Sequence, residues 1–252
     1  MTPIHLGGFS DNLIWDKKGN DMHRENGIYR HELKYPISRN ELEIIKNRIC
    51  PLMELDGNVG PEGQYNISSL YFDDLYDTCY YEKENGVDPR EKFRLRIYNH
   101  DISRISLECK RKERGKILKT SCLVSPIQAE KLCHGEYLRD IGNQSPLLRK
   151  FTEQMMSRGL RPVIIVEYNR TPFVYKYGNV RVTFDMGLLS STEVANFLTE
   201  QIAKRPIMGT GMQLLEVKYD EYIPDVIYNA LQIDNLEQMA FSKYSLCRQH
   251  TI

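Results

Sequence analysis

The chain has 252 residues, and its 34 Lys and Arg are balanced by 34 Asp and Glu, so its formal net charge at pH 7 is zero. This length suits one large domain or two small ones, and 41% hydrophobic residues exclude a generally disordered chain. The balanced charge argues against a protein that coats nucleic acid, because such proteins bind through excess positive charge. No apolar stretch approaches the roughly 18 residues that mark a membrane span.

The N-terminal residues lack a basic segment followed by an apolar one, so we expect no secretory signal and a cytoplasmic location. Residues 1–27 are rich in Gly, Asn, Asp and Lys, which predicts a loosely ordered segment ahead of one domain at residues 28–252. The six cysteines contain no CxxC pair, and we expect them to be free thiols.

Eight segments of the chain predict β-strands, most of them because polar and apolar residues alternate. In chain order they are residues 29–35, 66–72, 92–98, 105–110, 116–124, 163–175, 180–185 and 213–219.

Fewer segments predict helices. Ser38 and Glu41 form a capping box ahead of an apolar stripe, and Ser-Pro pairs at 125–126 and 145–146 each place a cap before a Pro at the first helical position. Pro224 opens another helix, and residues 236–247 predict the last. Many strands with a few helices predict an α+β fold, a closed or nearly closed antiparallel eight-stranded β-barrel with covering helices.

The charges on the predicted strands follow the two-residue period of a strand. Arg94 and Arg96 share one face of their strand, and Glu216 and Lys218 share one face of theirs. In both strands apolar residues occupy the opposite face. For one strand this pattern indicates an ordinary solvated face. Its repetition over at least six strands favours a closed sheet whose charged face lines a cavity. Lys and Arg suit phosphate oxygens there, and the few carboxylates suit a divalent cation that bridges phosphates.

Seven short motifs occur in an order and spacing typical of one family. They are residues 29–35 (YRHELKY), 93–96 (FRLR), 107–110 (LECK), 167–170 (EYNR), 180–185 (VRVTFD), 215–218 (LEVK) and 241–244 (FSKY). From Tyr29 to about His250, the chain resembles the VTC (vacuolar transporter chaperone) catalytic domain, a polyphosphate polymerase within the triphosphate tunnel metalloenzyme superfamily.

The resemblance implies a metal-dependent enzyme that moves the terminal phosphate of ATP onto polyphosphate, with manganese as the metal and magnesium as the alternative. The residues that it implies as catalytic are Lys34, Arg94, Arg96, Lys110, Arg170 and Arg181. Those that it implies as further phosphate ligands are Lys119, Tyr168, Lys218 and Lys243. It implies Glu216 as the main metal ligand, whereas Glu32 and Glu108 are weaker candidates that could instead orient neighbouring Lys and Arg.

Two departures from the family pattern bear on function. A single glutamate, Glu32, precedes Lys34, where the broader superfamily has two, which weakens a two-metal triphosphatase or an adenylyl cyclase. Thr120 and Ser121 follow Lys119, where family members often carry further basic residues, so we expect one weaker phosphate subsite. A tripolyphosphatase of the same fold and a non-catalytic polyphosphate-binding module stay open as alternatives. The sequence encodes no membrane segment, and any membrane-protein partner is unknown.

Two other motifs receive ordinary interpretations. Asp73-Asp74 is read as the end of a strand and the start of a turn, although a second metal stays open. The basic run at residues 110–116 resembles a nucleic-acid patch. Alternation directs Lys110 inward and Arg111 outward, so we expect no nucleic-acid partner.

Overall fold

The structure is a computed structural model that describes residues 29–139, 144–199, 201–233 and 236–251. The predicted loosely ordered segment, residues 1–27, lies outside the described residues. The strands are β1 (His31–Ser38), β2 (Glu54–Leu55), β3 (Tyr65–Asp73), β4 (Arg90–Tyr98), β5 (Ile105–Glu113), β6 (Lys116–Val124), β7 (Arg161–Tyr175), β8 (Val180–Ser191), β9 (Arg205–Pro206) and β10 (Met212–Tyr219). The helices are α1 (Arg39–Ile49), α2 (Thr78–Glu84), α3 (Pro126–Cys133), α4 (Pro146–Arg158), α5 (Asp225–Leu231) and α6 (Lys243–Gln249).

Eight of the strands form a curled antiparallel sheet in the order β1-β10-β8-β7-β3-β4-β5-β6, and β2 and β9 pair at its side with β7 and β8. The first and last strands meet at one bridge between Arg30 and Ile117, where each backbone N–H donates to the other carbonyl at 3.0 Å. The sheet is therefore a partially closed barrel. This confirms the predicted α+β fold with a nearly closed eight-stranded barrel.

The capping signals in the sequence mark where helices begin. The Ser38 hydroxyl accepts from the Glu41 backbone N–H at 3.2 Å, and the Glu41 carboxylate accepts from the Ser38 N–H at 2.6 Å. Behind this capping box, Leu42, Ile45 and Ile49 of α1 are buried, as the apolar stripe predicts. Helices α3 and α4 likewise begin at the two Ser-Pro pairs.

Helices cover the outer face of the sheet in two apolar clusters. Helices α3 and α4 pack over β4 and β5, where Leu95, Leu107 and Phe151 are fully buried. Helices α1 and α5 pack over β8 and β10, around Val182 and Leu215. Burial of apolar surface stabilises this arrangement, at roughly 25 cal/mol per Å². It also directs the alternate, charged residues of the same strands toward the inside of the barrel.

A third apolar cluster lies on the inner face of the sheet and does not follow from the sequence pattern. Strands β3 and β7 contribute Ile67, Ile164 and Val166, and helix α6 packs on them through Tyr244 and Cys247. One wall of the interior is therefore apolar and covered by a helix.

Two helix predictions differ from the structure. The last helix begins at Lys243 rather than at residue 236, because the Ser242 hydroxyl caps it by accepting from the Ser245 N–H at 3.2 Å. Ahead of it, the Met239 N–H donates to the Lys34 carbonyl at 2.9 Å, so this segment bonds to β1 where a helix would place an intrahelical bond. Helix α2 was not predicted, since its seven residues bury a single side chain, that of Cys79.

The cysteines and the helix lengths complete the description of the fold. All six cysteines are free thiols, and five of them are buried. Within the described residues, no helix combines the length and the apolar composition that crossing a membrane requires.

A cationic cavity as the candidate active site

One cavity opens on the inner face of the sheet and contains about 590 Å³ of empty space, its open mouth included. Strands β1, β3, β4, β5, β7 and β10 and the start of α6 supply its walls. Eight cations line it, namely Lys34, Lys92, Arg94, Arg96, Lys110, Arg170, Lys218 and Lys243. In the described part of the chain, Glu216 is the one carboxylate in the lining. This charge distribution suits a polyanion.

The structure brings nine of the thirteen predicted site residues together in this lining. They are Lys34, Arg94, Arg96, Lys110, Tyr168, Arg170, Glu216, Lys218 and Lys243. Strand alternation positions them as predicted, since Leu95, between the two arginines of β4, is fully buried on the outer face. The outward direction of Arg111 is also confirmed, because it pairs with Glu91 and Glu113 outside the cavity.

Glu32 joins two of the lining lysines from behind the cavity wall. Its carboxylate lies 2.8 Å from the ammonium of Lys34 and 2.8 Å from that of Lys110, so it links β1 to β5. Burial opposes its ionisation, but Lys110 and Lys34 hold the pKa of Glu32 well below its usual range. Burial lowers the pKa of Lys110 to about 7. Both Glu32 oxygens are thus occupied by ammonium groups.

Glu108 holds the arginines of β4 in a similar way. It is 2% exposed, and its two oxygens accept from Arg94 at 2.6 Å and from Lys119 at 2.7 Å, with Arg96 at 3.6 Å. Despite burial, these cations, with Arg96 the strongest, hold the pKa of Glu108 well below its usual range. The carboxylate therefore orients cations rather than facing the cavity.

Asp185 is a third orienting carboxylate, to which the sequence analysis assigned no role. Arg170 Nε and Nη2 donate to its two oxygens at 2.6 and 2.7 Å, and the Lys243 ammonium lies 2.5 Å from Oδ2. A bidentate pair fixes the plane of the guanidinium as well as its position. Arg170 and Lys243, which come from β7 and α6, are thereby held together at one edge of the cavity.

Glu216 differs from these three carboxylates because, among the described residues, one of its oxygens accepts no hydrogen bond. Oε1 accepts from Lys218 at 2.6 Å and from Arg170 at 3.4 Å, whereas the Lys34 ammonium lies 3.9 Å from Oε2, beyond hydrogen-bond distance. Burial opposes ionisation, but Lys218 and Arg170 hold the pKa of Glu216 well below its usual range. Glu216 is thus an ionised carboxylate with an oxygen available in the cavity.

This combination of fold and lining agrees with a comparison of the chain with protein families, in which the VTC domain matches residues 29–252. The chain belongs to the VTC domain family. A comparison with curated protein sequences gives no significant match.

Solved structures similar to this VTC domain share little of its sequence. The PH1819 protein of Pyrococcus horikoshii OT3 aligns with 88% of this chain and 99% of its own, at 15% identity and a TM-score of 0.47. A candidate adenylate cyclase of Bacillus halodurans aligns with 81% and 87%, at 12% identity and 0.47. A candidate adenylyl cyclase of Hippeastrum with a dominant triphosphatase activity aligns with 88% and 95%, at 13% identity and 0.49.

The donor set of the VTC domain fits a divalent cation held mainly by substrate. No group of three or more His, Cys, Asp or Glu side chains in the described ranges is arranged to hold a metal by itself. Magnesium-like ions are commonly bound through one or two carboxylates together with phosphate oxygens. Glu216 offers that single carboxylate, whereas the oxygens of Glu32 and Glu108 hold Lys and Arg side chains.

Asp73 and Asp74 stabilise the turn between β3 and α2, in agreement with their interpretation from the sequence. The buried Asp73 accepts from the backbone N–H groups of Cys79 and Tyr80 at the start of α2. Asp74 accepts from the N–H of Thr78 at 3.0 Å. Each carboxylate is therefore used to end β3 and begin α2.

Two predicted cations, Lys119 and Arg181, do not line the cavity. Lys119 pairs with Glu108 at 2.7 Å, whereas the Arg181 guanidinium pairs with Asp56 at 2.7 Å and donates to the Tyr65 hydroxyl at 3.0 Å. In the backbone register, Arg181 on β8 lies opposite Lys218 on β10, so it is one strand away from a lining residue.

Lys92 and Tyr244 also line the cavity, although neither was predicted as a site residue. Lys92 is two residues before Arg94, so the alternation that identified the arginines of β4 also identifies this lysine. Tyr244 follows Lys243 in the FSKY motif, but only the packing of α6 onto the inner face brings its ring to the cavity.

Proposed function

We propose that this VTC domain is a metal-dependent polyphosphate polymerase that transfers the terminal phosphate of ATP to a polyphosphate chain in the cationic cavity. The observation that carries the proposal is the lining itself, in which eight cations surround one ionised carboxylate, Glu216, with an uncommitted oxygen. A module that only binds polyanions needs no carboxylate oxygen without a hydrogen bond in its cavity, because such an oxygen repels phosphate.

Prearranged cations favour phosphoryl transfer, since they stabilise charge without having to move during the reaction. Glu32, Glu108 and Asp185 hold the Lys and Arg groups in position before any ligand binds. A guanidinium has five N–H donors and an ammonium has three, so these groups keep donors for phosphate oxygens.

In the proposed reaction, an oxygen at the end of the polyphosphate chain attacks the terminal phosphorus of ATP. A new P–O bond forms, the bond to the bridging oxygen breaks, and ADP leaves with that electron pair. The attacking oxygen is already anionic, so no general base is required, in keeping with a described lining that contains no histidine. A divalent cation held by Glu216 and phosphate oxygens would neutralise charge on those oxygens.

The test is to incubate the purified protein with ATP and manganese and to separate the products on a gel. Long phosphate chains together with ADP are the expected result. Free phosphate without chains would indicate a tripolyphosphatase instead of a polymerase. Unchanged ATP with tight polyphosphate binding would indicate a binding module. Arg111→Gln is the matched control, because this arginine faces away from the cavity and should leave the products unchanged.

A further inference from the structure

A second cavity lies on the outer face of the sheet, between β1, β10 and α5. It contains about 690 Å³ of empty space, its open mouth included. We call it the outer groove, and the side chains that define it are Leu33, Tyr35, Leu215, Val217, Tyr228 and Leu231. Leu215 and Val217 belong to the apolar cluster under α1 and α5, so the outer groove is separate from the cationic cavity on the inner face.

The outer groove leaves part of β1 incompletely covered. Leu215 and Val217 on β10 are at most 1% exposed, whereas Leu33 and Tyr35 on the neighbouring β1 stay partly exposed. Tyr228 of α5, in the same lining, is 52% exposed. A concave, mostly apolar surface of this size accommodates a few large side chains. Its chemistry therefore suits a short apolar segment of a protein chain.

Two amide side chains make the outer groove suitable for an indole ring. Gln232 and Gln238 belong to the lining, and among the described residues neither side chain forms a hydrogen bond. The N–H of a buried indole needs an acceptor, which the oxygen of such an amide supplies. The chain has a single tryptophan, Trp15, and the apolar residues Leu13 and Ile14 precede it directly.

Trp15 lies close enough along the chain to reach the outer groove. The described residues begin at Tyr29, and Leu33 is four residues later, about 13 Å along the strand. The 13 residues between Trp15 and Tyr29 can span more than about 40 Å when extended, so the connection is long enough. Tethering gives the segment an effective concentration of about 1 mM at the groove, which favours it over a second copy of the chain at micromolar concentration.

Charged residues beside the outer groove complement the same segment. Glu221, Asp225 and Glu237 are exposed within two residues of lining positions, and in the described part of the chain no ion pair engages them. In the sequence, Lys17 and Lys18 follow closely after Trp15. Attraction between these lysines and the carboxylates favours placing Trp15 in the groove, although such exposed pairs contribute little each.

We propose that residues 13–15 of this chain bind in the outer groove, with the Trp15 indole between β1 and α5. The inference goes beyond the proposed function, because it concerns the outer face of the sheet and not the cationic cavity. Binding there removes apolar surface of Leu33 and Tyr35 from water. It thereby stabilises β1, the strand that carries Glu32 and Lys34 on its inner face.

The test uses the fluorescence of Trp15 in the full chain, excited at the red edge of absorption so that the 16 tyrosines do not contribute. We expect emission at a shorter wavelength than in the urea-unfolded protein. Collisional quenching by acrylamide should be about threefold weaker than in the unfolded protein, because a bound indole is shielded from solvent. Tyr228→Lys, which places a charge in the groove and repels Lys17 and Lys18, should shift both values toward those of the unfolded protein. Tyr81→Lys is the matched control, since Tyr81 is 48% exposed on α2 and should leave both values unchanged.

A second variant separates loss of binding from damage to α5. Leu13→Glu leaves the groove as it is and should shift emission and quenching in the same direction as Tyr228→Lys, with a cooperative thermal transition retained. Emission and quenching equal to those of the unfolded protein would overturn the proposal. A shielded indole that Tyr228→Lys leaves unchanged would also overturn it, because Trp15 would then be buried elsewhere. Shielding that is lost on dilution would assign the groove to a second copy of the chain instead.

Discussion

Two glutamates, Glu216 in the cavity lining and Glu32 behind it, show how much a residue's role depends on its partners. Glu216 keeps one oxygen free of hydrogen bonds, whereas both oxygens of Glu32 bind the ammonium groups of Lys34 and Lys110. Spacing along the sequence could place both residues on the inner face. It could not assign these roles, because the roles depend on which side chains reach across from other strands.

We expect Glu216→Gln to lower manganese-dependent turnover at least 100-fold, while polyphosphate binding in EDTA is retained or tightens, since the change removes a negative charge from the lining. Loss of a transition-state interaction of about 2.7 kcal/mol corresponds to this factor. Steady-state turnover and calorimetry measure the two effects. Turnover near that of the unmodified protein would exclude Glu216 as a metal ligand.

Glu32→Gln should act on stability instead. We expect the free energy of unfolding to fall by about 2 kcal/mol, less than the usual cost of breaking a buried ion pair, because Lys34 and Lys110 keep partial contact with solvent. Urea denaturation measures this change. Glu130→Gln, at an exposed position on α3, should change it by less than about 0.5 kcal/mol.

Burial lowers the pKa of Lys92 to about 8, and this shift has consequences of opposite sign for binding and stability. Between about pH 8 and pH 10.4, the unfolded lysine binds more protons than the folded one, so this residue makes the free energy of unfolding rise with pH. Phosphate binding should instead weaken from pH 7 to 9 as the ammonium is lost. In calorimetric titrations, phosphate affinity should decline less from pH 7 to 9 for Lys92→Gln, because ionisation of the ligand affects both proteins alike. Equal declines would show that the Lys92 ammonium does not contribute to binding.

At the scale of elements, charged and polar side-chain contacts hold the short helix α6 against the barrel. Tyr244 donates to Asp73 on β3, Lys243 pairs with Asp185 on β8, and Arg248 pairs with Asp77 next to α2 at 2.6 Å. These contacts bring two cavity residues from the end of the chain to the inner face.

Tyr244→Phe should lower the free energy of unfolding by about 1–3 kcal/mol, because it leaves the buried Asp73 without one of its donors. Thermal and urea unfolding measure the loss. Tyr228→Phe is the matched control, since this tyrosine is 52% exposed on α5 and its hydroxyl removal should be neutral. Equal stability of the two variants would show that the Asp73 contact contributes nothing.

The elements also show where prediction from sequence succeeds and where it stops. Strands such as β4 and β6 were predicted to within two residues, because a sheet with one apolar face imposes a period of two on the sequence. The segment ahead of α6 contacts β1 through Phe241 and Lys34, which are 207 positions apart in the chain. Asp185 pairs with cations from β7 and α6. No local pattern records these contacts.

At the scale of the whole molecule, zero net charge coexists with a strongly cationic interior. Ligand binding should therefore stabilise the fold by mass action, by about 2.7 kcal/mol at a concentration 100 times the Kd. We expect tripolyphosphate to raise the Tm at low salt and to raise it less at 0.5 M NaCl, because salt screens the attraction. An equal shift at both salt concentrations would argue against binding through charge.

The single bridge between Arg30 and Ile117 gives the barrel a lengthwise seam. Apart from this bridge, no described backbone hydrogen bond joins β1 to β6, and the ion pair of Glu32 with Lys110 links β1 to β5 from inside. Ion pairs rearrange side chain by side chain, whereas a ladder of backbone bonds separates as a unit. The wall can therefore loosen along one line while the seven other strand pairings keep their register, and the interior can change its width without any strand changing its neighbours.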